Sequence, residues 1–132
     1  MNRKLVIIFI SIILISGGVY LKMKHDEKEK FYNEQKERIT LYLKYNIKNF
    51  KSVEFTSIES DPMGGYAING YINNNKDLSF TASTYADQNN QFEADYSSTS
   101  GFQEMMPENP KSVSEIKKEQ KEHKNSILQR YR

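Results

Sequence analysis

The 132-residue sequence contains no cysteine and no tryptophan, only three prolines and six glycines, and just two histidines. Without cysteine there can be no disulfide framework, no thiolate metal site, no cysteine nucleophile and no thiol to carry a lipid. The histidines, His25 and His123, have no serine or carboxylate partners at a spacing that marks a catalytic triad, and read as solvated side chains. Charge of one sign is also lacking. Nineteen lysines and arginines against seventeen acids leave +2, too little to mark a nucleic-acid binder by balance alone. The length leaves room for one small domain once a membrane segment is set aside, which excludes a two-domain enzyme.

Long apolar runs are scarce too, and the one present stands out. Leu5 to Leu21 (LVIIFISIILISGGVYL) has no charge and is flanked by Arg3, Lys4, Lys22 and Lys24. At about 1.5 Å per residue it covers roughly 25 Å, enough to span a bilayer at the short end of the range and longer than most signal-peptide cores. It is apolar around its full circumference, which argues against a buried core helix. Residues 1–24 are therefore expected to be a transmembrane anchor or an export signal, with cleavage near Gly18 as the alternative because Ser16, Gly17 and Gly18 are small. The lysines after the run favour a cytoplasmic bulk by the positive-inside rule, whereas the short basic start followed by an apolar core favours export. Export is the preferred reading: a single-pass protein of the cell membrane with its bulk outside.

Residues 25–132 are expected to form a small extracytoplasmic α+β domain. From Asp26 to Phe50, Phe31, Ile39, Leu43, Ile47 and Phe50 recur at helical spacing with Gln35 filling the gap, which predicts a long amphipathic helix. From Ser52 the period drops to two. Val53 and Phe55, then Tyr66, Ile68, Gly70 and Ile72, then Leu78, Phe80, Ala82 and Thr84, then Phe92, Ala94 and Tyr96 predict four strands. Ser60 to Gly65, Asn73 to Asp77 and Asp87 to Gln91 supply the turns, so the strands form an antiparallel meander whose apolar face the helix covers. Ser97 to Pro110 reads as a connector, and Ser112 with Glu115 is a capping box that opens a helix to about Arg130. On that helix Gln120 and His123 interrupt the stripe of Val113, Ile116 and Ile127, so weak packing is expected.

Charge is segregated along the chain. Residues 22–51 hold nine basic and five acidic side chains, residues 52–110 one and nine, and residues 111–132 seven and three. Basic helices neutralising an acidic sheet is the main expectation; basic helices near anionic lipid headgroups is the sharper one.

Few residues suggest chemistry. Glu54, Glu93 and Asp95 alternate with Phe55, Phe92 and Ala94, so they read as a solvated face and not as a carboxylate pair. Asp87, Asn89 and Gln91 begin like a calcium loop, but Phe92 stands where the sharp-turn glycine belongs and Ser98 where the bidentate glutamate belongs. Gly64-Gly65 is too short to cradle a phosphate, and tyrosines among lysines in residues 31–51 are mixed with glutamates. No catalytic residue, metal, cofactor or nucleic acid is expected. The remaining candidate is a protein-binding surface made of Asp61, Pro62, Met63, Gly64, Gly65, Tyr66, Asn69 and Tyr71, since Tyr and Asn on an open sheet face are adaptable contact residues.

The segments Gln35-Lys36-Glu37-Arg38-Ile39, Tyr42-Leu43-Lys44-Tyr45-Asn46, Pro62-Met63-Gly64-Gly65-Tyr66, Gly70-Tyr71-Ile72-Asn73 and Ser114-Glu115-Ile116-Lys117-Lys118-Glu119 resemble an uncharacterised family of small exported cell-envelope proteins of low-G+C Gram-positive bacteria, many of them lipoproteins. The resemblance covers nearly the whole chain and implies export and a single α+β domain, with a cystatin-like arrangement of one helix wrapped by an antiparallel sheet. Gly18 stands where a lipoprotein has its cysteine, so the anchor must be the helix itself. By analogy with envelope proteins that act as immunity factors beside secreted toxins, an immunity-like role is implied.

The expected function is a non-enzymatic, membrane-anchored envelope protein that touches the bilayer through Leu5–Leu21 and presents a domain to an unknown protein partner. The alternatives are a small-ligand-binding or hydrolytic domain using the concave sheet face, and a subunit that joins a larger membrane complex through the long helix.

Overall fold

A computed structural model describes residues 27–130. The chain divides into two compact units, Met1–Glu34 and Gln35–Arg132. In the first, the described residues 27–34 are helical. The run Leu5–Leu21, its cleavage site and its orientation lie outside the described residues. No helix among the described residues is long and apolar enough to cross a membrane.

Helical residues 27–46 form α1, of which 35–46 belong to the second unit. There Gln35, Ile39, Tyr42 and Leu43 are buried, the i, i+4, i+7, i+8 stripe of an amphipathic helix. The helix stops four residues before the expected end at Phe50. Asn46 takes the Tyr42 carbonyl through Nδ2 (2.9 Å) and spends its remaining capacity on Lys111, donating to its carbonyl (3.0 Å) and accepting from its N–H (2.9 Å). Such a side chain competes with the backbone ladder and ends it.

Four strands follow: β1 (Val53–Ser60), β2 (Tyr66–Ile72), β3 (Asn75–Thr84) and β4 (Tyr96–Ser98), paired antiparallel in chain order. The meander is as the alternating pattern predicts, but three details differ. The second turn is only Asn73-Asn74, both at positive φ (55° and 54°), a conformation asparagine tolerates and tight hairpins need. β3 therefore starts at Asn75, and residues 76–78 are accommodated by a register shift between Tyr71 and Ile72. The fourth strand is not Phe92 to Tyr96. Phe92 donates its N–H to Gln35 Oε1 (2.8 Å) and its carbonyl accepts from Arg38 Nε (2.9 Å), so this stretch is bonded to α1 and joins the β3 ladder only from Asp95 onward.

The expected connector contains a helix, α2 (Ser100–Met105), with Thr99 as its N-cap. Alternation and helical periodicity both miss it because a six-residue helix shows too few turns to reveal a stripe. Its Phe102 is fully buried and extends a chain of aromatic contacts. Ring centroids run from Phe55 to Phe80 (6.2 Å), Phe102 (5.4 Å), Tyr96 (5.5 Å), Tyr42 (6.2 Å) and Phe92 (5.3 Å). Ile68, Ile72 and Ala82 from the sheet and Ile39, Leu43 and Ile47 from the helical side complete this core.

Half of the expected capping box forms: Ser112 Oγ accepts from Glu115 N (3.3 Å), while the Glu115 carboxylate accepts from the Ser112 hydroxyl (3.1 Å) in place of the Ser112 N–H. It opens α3 (Val113–Arg130), whose Val113 and Ile116 are buried while every residue from Gln120 to Arg130 is exposed. The expected weak packing is thus a division of the helix into a docked start and a free remainder.

Candidate functional site

The sheet has one face in the core and one open. On β2, Ile68, Gly70 and Ile72 are buried, while Ala67, Asn69 and Tyr71 keep solvent access. On β1 the register shifts between Phe55 and Ser57. One extra residue inverts the alternation, so Ile58 stands opposite Ile68 on the core side and Ser57 opposite Asn69 on the open side. Reading β1 as strictly alternating from Val53 misses this inversion.

Three cross-strand rows make up the open face. Glu54, Tyr71 and Ser79 align at one end; Ser57, Asn69, Thr81 and Ser97 cross the middle; Glu59, Ala67 and Ser83 lie nearest the first hairpin. The middle row is hydrogen-bonded laterally. Asn69 Nδ2 donates to Ser57 Oγ (2.9 Å) and Thr81 Oγ1 donates to Asn69 Oδ1 (2.6 Å). Both ends of the Asn69 amide are therefore engaged, which fixes it as a flat polar platform beside Tyr71.

The hairpin tip is held as firmly. Asp61 N donates to Gly65 O (2.7 Å), Gly64 N to Asp61 O (2.9 Å), and Asp61 Oδ1 accepts from Met63 N (3.0 Å). Gly64 adopts φ +95°, and a Cβ on Gly65 would lie 2.2 Å from the Thr84 carbonyl oxygen. Thr84 Oγ1 in turn accepts from Tyr66 N (3.1 Å). The outcome is a rigid turn that presents Met63 with 90% of its surface exposed.

The eight expected binding residues therefore divide. Asp61, Pro62, Met63 and Gly64 form the exposed tip; Asn69 and Tyr71 belong to the open face. Gly65 is buried and shapes the turn without offering a contact, and Tyr66 is half-buried at the start of β2. At about 3.4 Å per residue, Tyr71 lies roughly 17 Å from Tyr66, so the candidate is a strip along β2 and not a compact patch.

Of the acids expected to be solvated together, Glu54 and Asp95 are exposed but Glu93 is not free. Its Oε1 meets Arg38 Nη2 and Ser114 Oγ, each at 2.6 Å, and its Oε2 accepts from Ser114 N at 3.0 Å. Its carbonyl also accepts from Val113 N (3.0 Å). Burial works to raise the Glu93 pKa, but the Ser114 bonds and Arg38 outweigh it and hold the carboxyl below its ordinary range. Because residue 93 lies before β4, the alternation that turned it toward solvent does not apply. A second cluster joins Lys111 and Tyr45 to Glu119, whose carboxyl is held low by the bonds from Lys111 and then Tyr45. Among the described residues no group of three or more histidines, cysteines or acids converges as a metal site. His123 is exposed on α3, and His25 lies outside the described residues.

This arrangement can be set against known proteins. A family model described as "Protein of unknown function (DUF1433)" matches residues 31–118, two thirds of the chain. The chain belongs to the DUF1433 family. The match takes in the whole sheet and the docked start of α3 and ends at Lys118. A solution NMR structure of a folded 79-residue fragment of Lin0334 from Listeria innocua is 43% identical, with a TM-score of 0.56 over 68% of this chain and 94% of that one. No curated protein matches. The antiparallel four-strand meander with helices is thus a fold that this chain shares with the Listeria innocua fragment.

Proposed function

We propose that this DUF1433 chain is a non-enzymatic, single-pass cell-envelope protein, anchored through Leu5–Leu21, that presents its α+β domain outside the cell to another protein. Release by cleavage near Gly18 is the alternative form of the same reading. The domain is read as cystatin-like, one helix against an antiparallel meander. The binding strip runs from the Asp61–Gly64 tip to Asn69 and Tyr71. The observation that carries the reading is the open sheet face, where Ala67, Asn69 and Tyr71 of β2 keep solvent access while Ile68, Gly70 and Ile72 are buried. A platform whose amide and hydroxyls are already bonded to one another suits surface contact better than proton transfer. Protection against an exported effector is the role that analogy with envelope immunity factors adds to this reading.

A photo-crosslinking residue placed at Met63, at Tyr71 or, as a control, at Ser126 tests it in intact cells. One adduct of common mass from positions 63 and 71 and none from 126 is expected. An adduct only from a further crosslinker on the exposed side of α1, at Lys44, would instead assign the chain to a larger complex through its long helix. Protease shaving of the same cells, with the mass of the protected fragment, reports the side on which the domain stands and whether the leader is cleaved.

A further inference from the structure

The free part of α3 is not chemically uniform. At about 100° per residue, Lys117, Lys121, Lys124 and Leu128 fall within roughly a 60° arc, and Glu115, Glu119 and Glu122 fall on the opposite side. Two of those acids are already engaged, Glu115 in the capping box and Glu119 with Lys111 and Tyr45. None of the three lysines forms an ion pair with any described residue. Like charges at i, i+4, such as Lys117 and Lys121, destabilise a helix that is bare to water, and helices of about a dozen residues without tertiary contacts are marginal. The stripe ends in Leu128, which is 55% exposed, while Ile127, 40% exposed, lies about 100° around the helix from it. A cationic row with an apolar end and its acids turned away complements an anionic lipid surface.

We propose that residues 117–130 of α3 lie on an anionic bilayer surface, with Lys117, Lys121 and Lys124 against lipid phosphates and Leu128 at the acyl boundary. The proposal rests on the envelope reading only for the presence of a bilayer within reach of the domain. A second copy of the chain, whose acidic residues 52–110 could also meet the lysines, is the competing occupant, but it offers no apolar layer for Leu128 beside the charge.

The absence of cysteine allows one polarity-sensitive dye to be placed at Asn125→Cys in the full chain. The chain is reconstituted in vesicles of phosphatidylcholine alone or with phosphatidylglycerol, at low and high salt. A blue shift confined to phosphatidylglycerol vesicles and reversed by salt is expected. Replacing all three lysines by glutamine is expected to lower the docked-to-free ratio on the order of 100-fold, and replacing them by arginine to preserve it. Equal emission in both vesicle types, or a shift that survives the glutamine variant, would overturn the docking. A concentration-dependent shift in detergent without lipid would overturn it too, by assigning the face to a second copy. Carbonate extraction separates the two ideas. A chain that washes off yet still responds to phosphatidylglycerol keeps the docking and removes the anchor; a chain that resists washing but gives equal emission does the reverse.

Discussion

Glu93→Gln is the most searching single change, because it alters no volume and removes one charge at the point where α1, the pre-β4 segment and α3 meet. The carboxylate receives Arg38 and two donors of Ser114, and the pair is well shielded, with 14% of the Arg38 and 29% of the Glu93 side chain exposed. Hydrogen bonds to a charged group contribute about 1.5–3 kcal/mol each, and the glutamine amide keeps a single acceptor oxygen. A loss of about 2 kcal/mol is therefore expected, or roughly 8–16 °C in Tm for a domain of this size. The pH dependence carries the sharper test. The Glu93 pKa is lower in the folded chain than its ordinary value of 4.5, so its contribution is complete above that value and is lost as pH falls through the lower, folded one. Denaturant unfolding of the intact parent and variant, followed by near-ultraviolet tyrosine signal, should show a constant gap from neutral pH to about pH 5 that closes in stronger acid. A gap that persists unchanged into acid, or no gap at neutral pH, would refute the claim that the ionised carboxylate ties these elements together.

Three further outcomes follow from the core and the hairpin. Gln35→Leu should cost about 1–3 kcal/mol in thermal unfolding, since it leaves the buried Phe92 N–H without its acceptor despite adding apolar surface. Tyr42 is buried, and its hydroxyl has no hydrogen-bond partner. Burial first, then Tyr96 and Asp95, push its pKa up. Tyr42→Phe should hold or raise Tm, whereas Tyr42→Ala should lose about 3–5 kcal/mol because it empties the ring's place between Phe92 and Tyr96. Gly65→Ala drives a methyl into the Thr84 carbonyl and should cost about 2–3 kcal/mol, with faster amide exchange at Tyr66 than in the parent.

The sequence by itself determined the elements whose signal is periodic or chemically local. The stripe Gln35, Ile39, Leu43 marks α1, the alternation from Tyr66 to Ile72 marks β2, and Ser112 with Glu115 marks the start of α3; each needs only neighbours a few residues away. The tip Asp61 to Gly64 was legible for the same reason, since proline, glycine and an Asx turn act on their own backbone. Only the tertiary structure decided where Phe92 and Glu93 go, because their partners Gln35 and Arg38 lie more than fifty residues away and no local period encodes them. It also decided which side of β1 is outward after Thr56, and that Tyr42 and Phe102 belong to one aromatic chain. Of the candidate strip, the sequence chose the residues, and the fold separated those that shape it, such as Gly65, from those that water can reach. Burial is a property of the assembled layers, and one inserted residue or one distant hydrogen bond is enough to reassign it.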